Sequence, residues 1–199
     1  MSDKQRNVAI FIFDDVEVLD FAGPFEVFNV TGDVIDPAPF NTYTVALTEE
    51  PIKARGKLSI NPHYSIDNCP TPDIILLPGG TVSRRLMKDE RVHNWIAKHI
   101  DNLEKFLSVC TGAFFIAHCG LLKGLSATTH HDAFPEFREA FPDIPLIEDK
   151  RYVEHGKIIT AGGISAGIDM SLYVVEQLLG KEKLELTLME MEWQWHQDN

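Results

Sequence analysis

A chain of 199 residues, 44% hydrophobic and 24% charged, has the make-up of one globular domain spanning 1–199 with a single sizeable core. Its 18 Lys and Arg against 30 Asp and Glu leave a net charge of −12, which argues against a nucleic-acid or anionic-membrane surface. No stretch approaches the roughly 20 apolar residues of a membrane span, the first residues lack a signal-peptide core, and three cysteines without C-x-x-C spacing suit a reducing compartment, so a cytoplasmic location is expected.

Residues 7–13 (NVAIFIF) form a nearly continuous apolar run, the pattern of a strand buried on both faces of a parallel sheet. Asp14 and Asp15 end it. Asp20 then falls in a predicted loop among apolar neighbours, four residues ahead of Pro24, which suits the first turn of a helix because its missing N–H would be unpaired there anyway. A carboxylate in such company is either a cap or a chemical group. Residues 29–40 read as a loop, 43–47 (YTVAL) as a second strand, and 58–60 as a short strand before an irregular return that holds Cys69. Residues 73–77 (DIILL) make a third buried strand, ended by Pro78-Gly79-Gly80. Glycines at the carboxyl end of a buried strand let backbone N–H groups approach a ligand, although an isolated Pro-Gly-Gly is more often a plain tight turn.

Residues 82–103 carry helical spacing (Leu86, Val92, Trp95, Ile96, Ile100, Leu103). Residues 105–117 follow: a short buried strand, one cysteine, then at once an apolar helix opened by Gly112. A cysteine at such a junction projects from a sharp turn toward the first turn of a helix. Free N–H groups and the dipole there favour an anion and should lower the thiol pKa. Cys110 is therefore the candidate nucleophile, whereas Cys119 reads as core and Cys69 as a loop residue without a partner. Residues 126–130 (SATTH) look strand-like, 132–141 amphipathic and helical, and 146–160 hairpin-like. Gly162-Gly163 is a second glycine-rich junction, leading into an apolar helix over 168–179 and a last helical run over 182–195.

Strands alternating with helices predict an α/β fold, a three-layer sandwich with a mostly parallel sheet. Ligands bind outside the carboxyl ends of strands in such sheets. Asp20, Pro78-Gly79-Gly80, Cys110 and Gly162-Gly163 all fall at those ends. No triad can be asserted. His130 or His131 could approach Cys110, with a structural histidine at least as good a reading. The other histidines show no clustering and no ligand spacing, so no metal is expected. Asp20 can instead be the proton acceptor, its pKa raised by burial and by a facing thiolate.

Five segments together resemble the ThiJ/PfpI superfamily, of flavodoxin-like fold and related to class I glutamine amidotransferases. They are Leu19-Asp20-Phe21-Ala22-Gly23-Pro24, Leu77-Pro78-Gly79-Gly80, Ser108-Val109-Cys110-Thr111-Gly112, Ala127-Thr128-Thr129-His130 and Gly162-Gly163-Ile164-Ser165-Ala166-Gly167-Ile168-Asp169. The likeness runs from residue 7 to about 179, and within the superfamily the chain resembles isonitrile hydratases and the amidase-like domain of AraC-type regulators. That resemblance implies hydration of an isonitrile to an N-substituted formamide. Cys110 would attack the isonitrile carbon and Asp20 would serve as general acid and base. Thr111 would offer its backbone N–H and hydroxyl, Gly79 backbone polarity opposite it, and Gly80, His130 and Ile164 would complete the substrate pocket. No cofactor is implied, and a homodimer is expected by resemblance alone. Peptidase-like members carry a histidine directly after the nucleophile, where Thr111 stands, which counts against proteolysis. Glyoxal-active members carry a glutamate where Asp20 appears. AraC-type regulators continue into a helix-turn-helix domain that this sequence does not include, so no nucleic-acid partner is expected. An amidase or other hydrolase, glyoxal-type chemistry, and a sensor in which Cys110 is modified remain alternatives on the same site.

Overall fold

The computed structural model describes residues 4–196. Among the described residues the nine strands are β1 (Arg6–Phe11), β2 (Phe40–Ala46), β3 (Ile52–Lys53), β4 (Ser59–Ile60), β5 (Tyr64–Ser65), β6 (Ile74–Leu77), β7 (Lys105–Val109), β8 (Tyr152–His155) and β9 (Ile158–Ala161). The helices are α1 (Val18–Val34), α2 (Ser83–Leu86), α3 (Glu90–His99), α4 (Ala113–His118), α5 (Phe134–Ala140), α6 (Ala166–Leu179) and α7 (Lys181–Glu190). Seven strands form one sheet in the order β5-β2-β1-β6-β7-β9-β8, and β3 and β4 make a separate small hairpin. Every neighbour pair in the large sheet is parallel except β8 with β9.

Helices cover both faces, which is why the central strands read as unbroken apolar runs instead of alternating ones. Ile74, Ile75, Leu76 and Leu77 of β6 have no exposed surface at all. On one face α1, α6 and α7 pack together. On the other, the Phe11 ring lies 5.8 Å from Trp95 of α3 and 6.2 Å from Phe115 of α4. Phe114 meets Phe137 of α5 edge-on at 5.0 Å. Each such side chain contributes roughly 1.5–3 kcal/mol by leaving water. After β1 the chain moves outward to β2 and β5, then returns to β6 on the other side of β1. The crevice between the carboxyl ends of β1 and β6 is thus the topological switch point, where open α/β sheets bind ligands.

Five expectations need correction. Asp20 is not in a loop: α1 begins at Val18, with Asp20 in its first turn and Pro24 in its interior. The preceding chain is pinned by Glu17 N–H to Gly79 C=O (3.0 Å) and a bridge between Val16 and Gly80, so the helix can start early. Helix α1 also takes up residues 29–34, expected to be loop. The long helix over 82–103 is two helices, because the Asp89 carboxylate accepts the Arg91 N–H (2.9 Å) and caps a new start. Residues 126–130 make only a single bridge, Ala127 to Leu146. The Thr128 N–H is spent on Thr160 Oγ1 (3.0 Å), and the Thr129 hydroxyl donates to the Cys110 carbonyl (2.7 Å). The last helix stops at Glu190, and the Trp193 and Trp195 indoles turn back onto Asp169.

Candidate active site

Cys110 follows β7 and opens a 3-10 turn, Cys110–Gly112, that runs into α4. Its backbone is left-handed, φ +56°, a conformation that costs a non-glycine residue on the order of 1 kcal/mol or more. The turn is held from both sides. Cys110 N–H donates to Gly162 C=O (2.9 Å), and the Cys110 carbonyl takes the Thr129 hydroxyl. Gly112 is required there, since a Cβ would fall 1.9 Å from the Leu77 carbonyl oxygen. The sulfur thereby faces the switch-point crevice.

Asp20 meets it from α1. The carboxyl is fully buried. It accepts the Gly79 N–H on Oδ2 (2.9 Å) and the Ile164 N–H on Oδ1 (3.2 Å), and the Cys110 thiol donates to it as well. Among the described residues no cation is set against its charge. Burial therefore pushes its pKa up to about 7, with the nearby Glu17 carboxylate adding to the rise and the Gly79 N–H opposing it. The Ile164 amide points at Asp20 because that residue is also left-handed, φ +56°, which is unusual for a β-branched side chain.

The thiol does not behave as its helix-terminal position suggests. Burial and the facing Asp20 charge push it up to about 12, against the Thr111 N–H and, more weakly, the Thr111 hydroxyl, which favour the thiolate. The expectation of a lowered thiol pKa is overturned because the thiol is buried and its neighbour is an acid. Cys110 and Asp20 thus face each other with both pKa values raised, by burial and, for the thiol, by the Asp20 charge.

Thr111 is buried beside them. Its hydroxyl accepts the Gly80 N–H (3.1 Å) and pairs with the Ser83 hydroxyl (2.9 Å), which donates in turn to the Gly80 carbonyl (2.8 Å). The two N–H groups of the glycine loop are consequently occupied, Gly79 by Asp20 and Gly80 by Thr111. The expectation that Gly79 presents free backbone polarity to a substrate is corrected accordingly: the loop orients the acid and the threonine.

A cleft of about 190 Å³ opens above the sulfur, lined by Cys110, Thr111, Gly80, His130 and Ile164, with Glu17, Arg55, Arg84 and Asp132 among the groups at its rim. Cys110, Thr111, Gly80, His130 and Ile164 thus converge on one space, while Asp20 and Gly79 lie behind them. His130 does not pair with the thiol in any hydrogen bond; its Nδ1 accepts the Asp132 N–H (3.3 Å). Arg55, from the turn between β3 and β4, pairs with Glu17 (2.7 Å), and Arg84 pairs with Glu136 (2.7 Å) over the Phe114 ring. Arg55 carries no periodic signal in the sequence. Ser83 was equally hidden, since only the folded loop brings it to Thr111. The expectation of unclustered histidines also fails: His93 and His118 pack edge-on at 5.0 Å. Cys119, expected in the core, is only partly buried.

The DJ-1/PfpI family pattern matches residues 6–177. Isonitrile hydratase of Pseudomonas putida is 32% identical over 189 residues, which cover 94% of this chain and 78% of that protein. The HTH-type transcriptional regulator GbdR of Pseudomonas aeruginosa is 23% identical over 94% of this chain, which spans 50% of the regulator's length. The crystal structure of a ThiJ/PfpI family protein from Pseudomonas syringae superposes with a TM-score of 0.84 at 24% identity, over 98% of this chain and 77% of that one, a likeness of fold.

Proposed function

The chain belongs to the DJ-1/PfpI family, and within it we propose a cysteine-dependent hydratase that converts a small isonitrile to an N-substituted formamide. The observation that carries this reading is the buried Asp20–Cys110 pair, in which a carboxyl of pKa about 7 lies against a protonated thiol. An isonitrile carbon must receive both a nucleophile and a proton, and this pair holds one of each.

In the proposed sequence the Asp20 carboxylate takes the thiol proton as sulfur bonds to the terminal carbon. It then delivers that proton to the same carbon, giving a thioimidate, Cys110–S–CH=N–R. A water oxygen next adds to the thioimidate carbon while Asp20 passes a water proton to nitrogen, giving Cys110–S–CH(OH)–NH–R. Breaking the C–S bond returns the hydroxyl proton to sulfur through Asp20 and releases the formamide. One water is consumed, and the enzyme regains its starting protonation. Neither addition builds the stable oxyanion of acyl transfer, which fits a glycine loop whose N–H groups are bound to Asp20 and Thr111. The same occupation weighs against an amidase. A thiol held protonated by burial weighs against an oxidant sensor, which works through a thiolate.

The test is turnover of an aryl isonitrile, with the formamide followed by chromatography. Wild-type protein is expected to turn over, and Cys110→Ala to lose the rate by roughly 10⁴-fold or more, as loss of a nucleophile does. Absence of formamide, or formamide formed equally by Cys110→Ala, overturns the reading.

A further inference from the structure

We propose that His130, His131 and Asp132 form a binding site for a divalent transition-metal ion at the mouth of the cleft. One nitrogen from each imidazole and one carboxylate oxygen lie within 4.8 Å of one another. The two rings are stacked, with centroids 4.4 Å apart and planes 29° from parallel. This stacking directs His130 Nδ1 (3.8 Å) and His131 Nδ1 (3.1 Å) to the two oxygens of the same carboxylate.

The cluster has one fixed member and two adaptable ones. The His130 ring rests on the bare backbone of Gly163, where a Cβ would fall 2.0 Å from its Cδ2. Its Nδ1 accepts the Asp132 N–H at 3.3 Å, so a metal ion bound through Nδ1 would replace that hydrogen bond. His131 and Asp132 are each more than three-quarters exposed, so both side chains can close the ångström or so needed for metal–ligand bonds of about 2.0–2.2 Å.

Two imidazoles with one carboxylate select zinc, cobalt or nickel over calcium and magnesium, which want all-oxygen sites. Three protein ligands leave at least one coordination position open, as in metal sites that take up an outside ligand. His130 and Asp132 also line the cleft that Cys110 enters, so that position faces the same space as the sulfur. The three residues are consecutive in the sequence, yet linear spacing conceals the site. It is the short 3-10 turn His131–Ala133, following His130, that stacks the rings over the carboxylate.

The experiment is titration of the metal-free full chain with cobalt(II) followed by visible absorption, then displacement by zinc(II) followed by calorimetry. One ion per chain is expected. Affinity should fall at least roughly ten-fold in His131→Ala, since even residues that only support metal ligands are worth about 10–100-fold. Asp132→Asn should weaken binding similarly, and Cys110→Ser should leave it unchanged, with no sulfur-to-cobalt charge-transfer band in any variant. Circular dichroism checks that each variant is folded; the exposed His131 side chain leaves no buried gap when truncated. Equal affinity in wild type and His131→Ala, loss of binding in Cys110→Ser, or no uptake by the wild-type chain each overturns the proposal. None of these readouts depends on isonitrile turnover.

Discussion

Two fully buried aspartates, Asp20 and Asp169, are tied to the loop 162–167, and their surroundings could hardly differ more. Asp169 of α6 is met by the Arg151 guanidinium at 2.6 Å, by the Trp193 indole N–H at 3.1 Å and by the His196 backbone N–H at 3.2 Å. Arg151 also donates to Ser165 at 3.2 Å, next to Ile164. Asp20 has two backbone N–H groups and a thiol, and no cation. A buried carboxylate with a fixed counter-ion is a fastener, here tying the chain end and the 162–167 loop to α6. One supplied with donors but denied a cation stays near the point where it can both give and take a proton. The proposed chemistry rests on that difference.

Replacing Asp20 by Asn tests the comparison most severely. The amide keeps an acceptor for a backbone N–H but holds no exchangeable proton near neutrality. Turnover should fall roughly 10²–10⁴-fold, the usual worth of a general acid–base group, measured as kcat/KM for formamide production. In the wild type kcat/KM should rise as pH rises through about 7, because the ionised carboxylate must accept the thiol proton. Stability moves the other way. The folded-state pKa lies above the ordinary carboxylate value near 3.8, so between about pH 4 and 7 the folded protein holds more protons than the unfolded chain, and stability falls as pH rises. The loss from this one carboxyl is on the order of 4 kcal/mol, given about 1.4 kcal/mol per pKa unit. Asp20→Asn should remove that slope, so the gap between variant and wild-type urea midpoints should widen in favour of the variant from pH 4 to 7. A gap that stays constant would show that Asp20 is not ionising in this range.

Arg151→Met probes the fastener. It strands the Asp169 carboxylate without its cation, and breaking a buried pair costs about 3–5 kcal/mol. Arg151 is one-third exposed, which discounts this to about 2–3 kcal/mol. Denaturation should report that loss, and adding Asp169→Asn should restore part of it. The pH dependence of turnover should keep its inflection near 7, since the Asp20–Cys110 pair is untouched. A shift of that inflection would mean that the 162–167 loop carries strain from one aspartate to the other through Ile164.

Much of the fold was legible because burial on both faces leaves an unmistakable trace. The runs at 7–13, 73–77 and 105–109 predicted β1, β6 and β7 to within a few residues, and the strand–Cys–Thr–Gly–helix order predicted the turn at Cys110. What escaped depends on directions that side-chain patterns do not encode. The apolar phase of 82–103 continues across the Asp89 cap, so two helices read as one. The amide of Ile164 faces Asp20 only because its φ is positive, and no residue type announces that at an isoleucine. The thiol pKa was misjudged for a related reason. A helix start was visible, but the buried acid opposite it depended on α1 beginning at Val18 and carrying Asp20 inward. Arg55 reaches the cleft from a hairpin whose two strands are too short to show any period.

Thr111→Val gives the smallest expected effect and separates the cage from the pair it encloses. Valine keeps the shape and the backbone N–H that faces sulfur, but it leaves the Gly80 N–H without its acceptor and Ser83 with one partner fewer. An unpaired buried donor costs about 1–3 kcal/mol, and because Gly80 is only partly buried the lower part of that range is expected in the urea midpoint. Loss of the weak hydroxyl contribution should raise the thiol pKa slightly further, and turnover should fall by about ten-fold or less. The hydroxyl holds the loop, the loop holds Asp20 through Gly79, and in the proposed mechanism Asp20 alone moves the proton, so the effect should reach the chemistry diluted by two intervening contacts. A loss as large as that in Asp20→Asn would instead place the Thr111 hydroxyl against the reacting atoms.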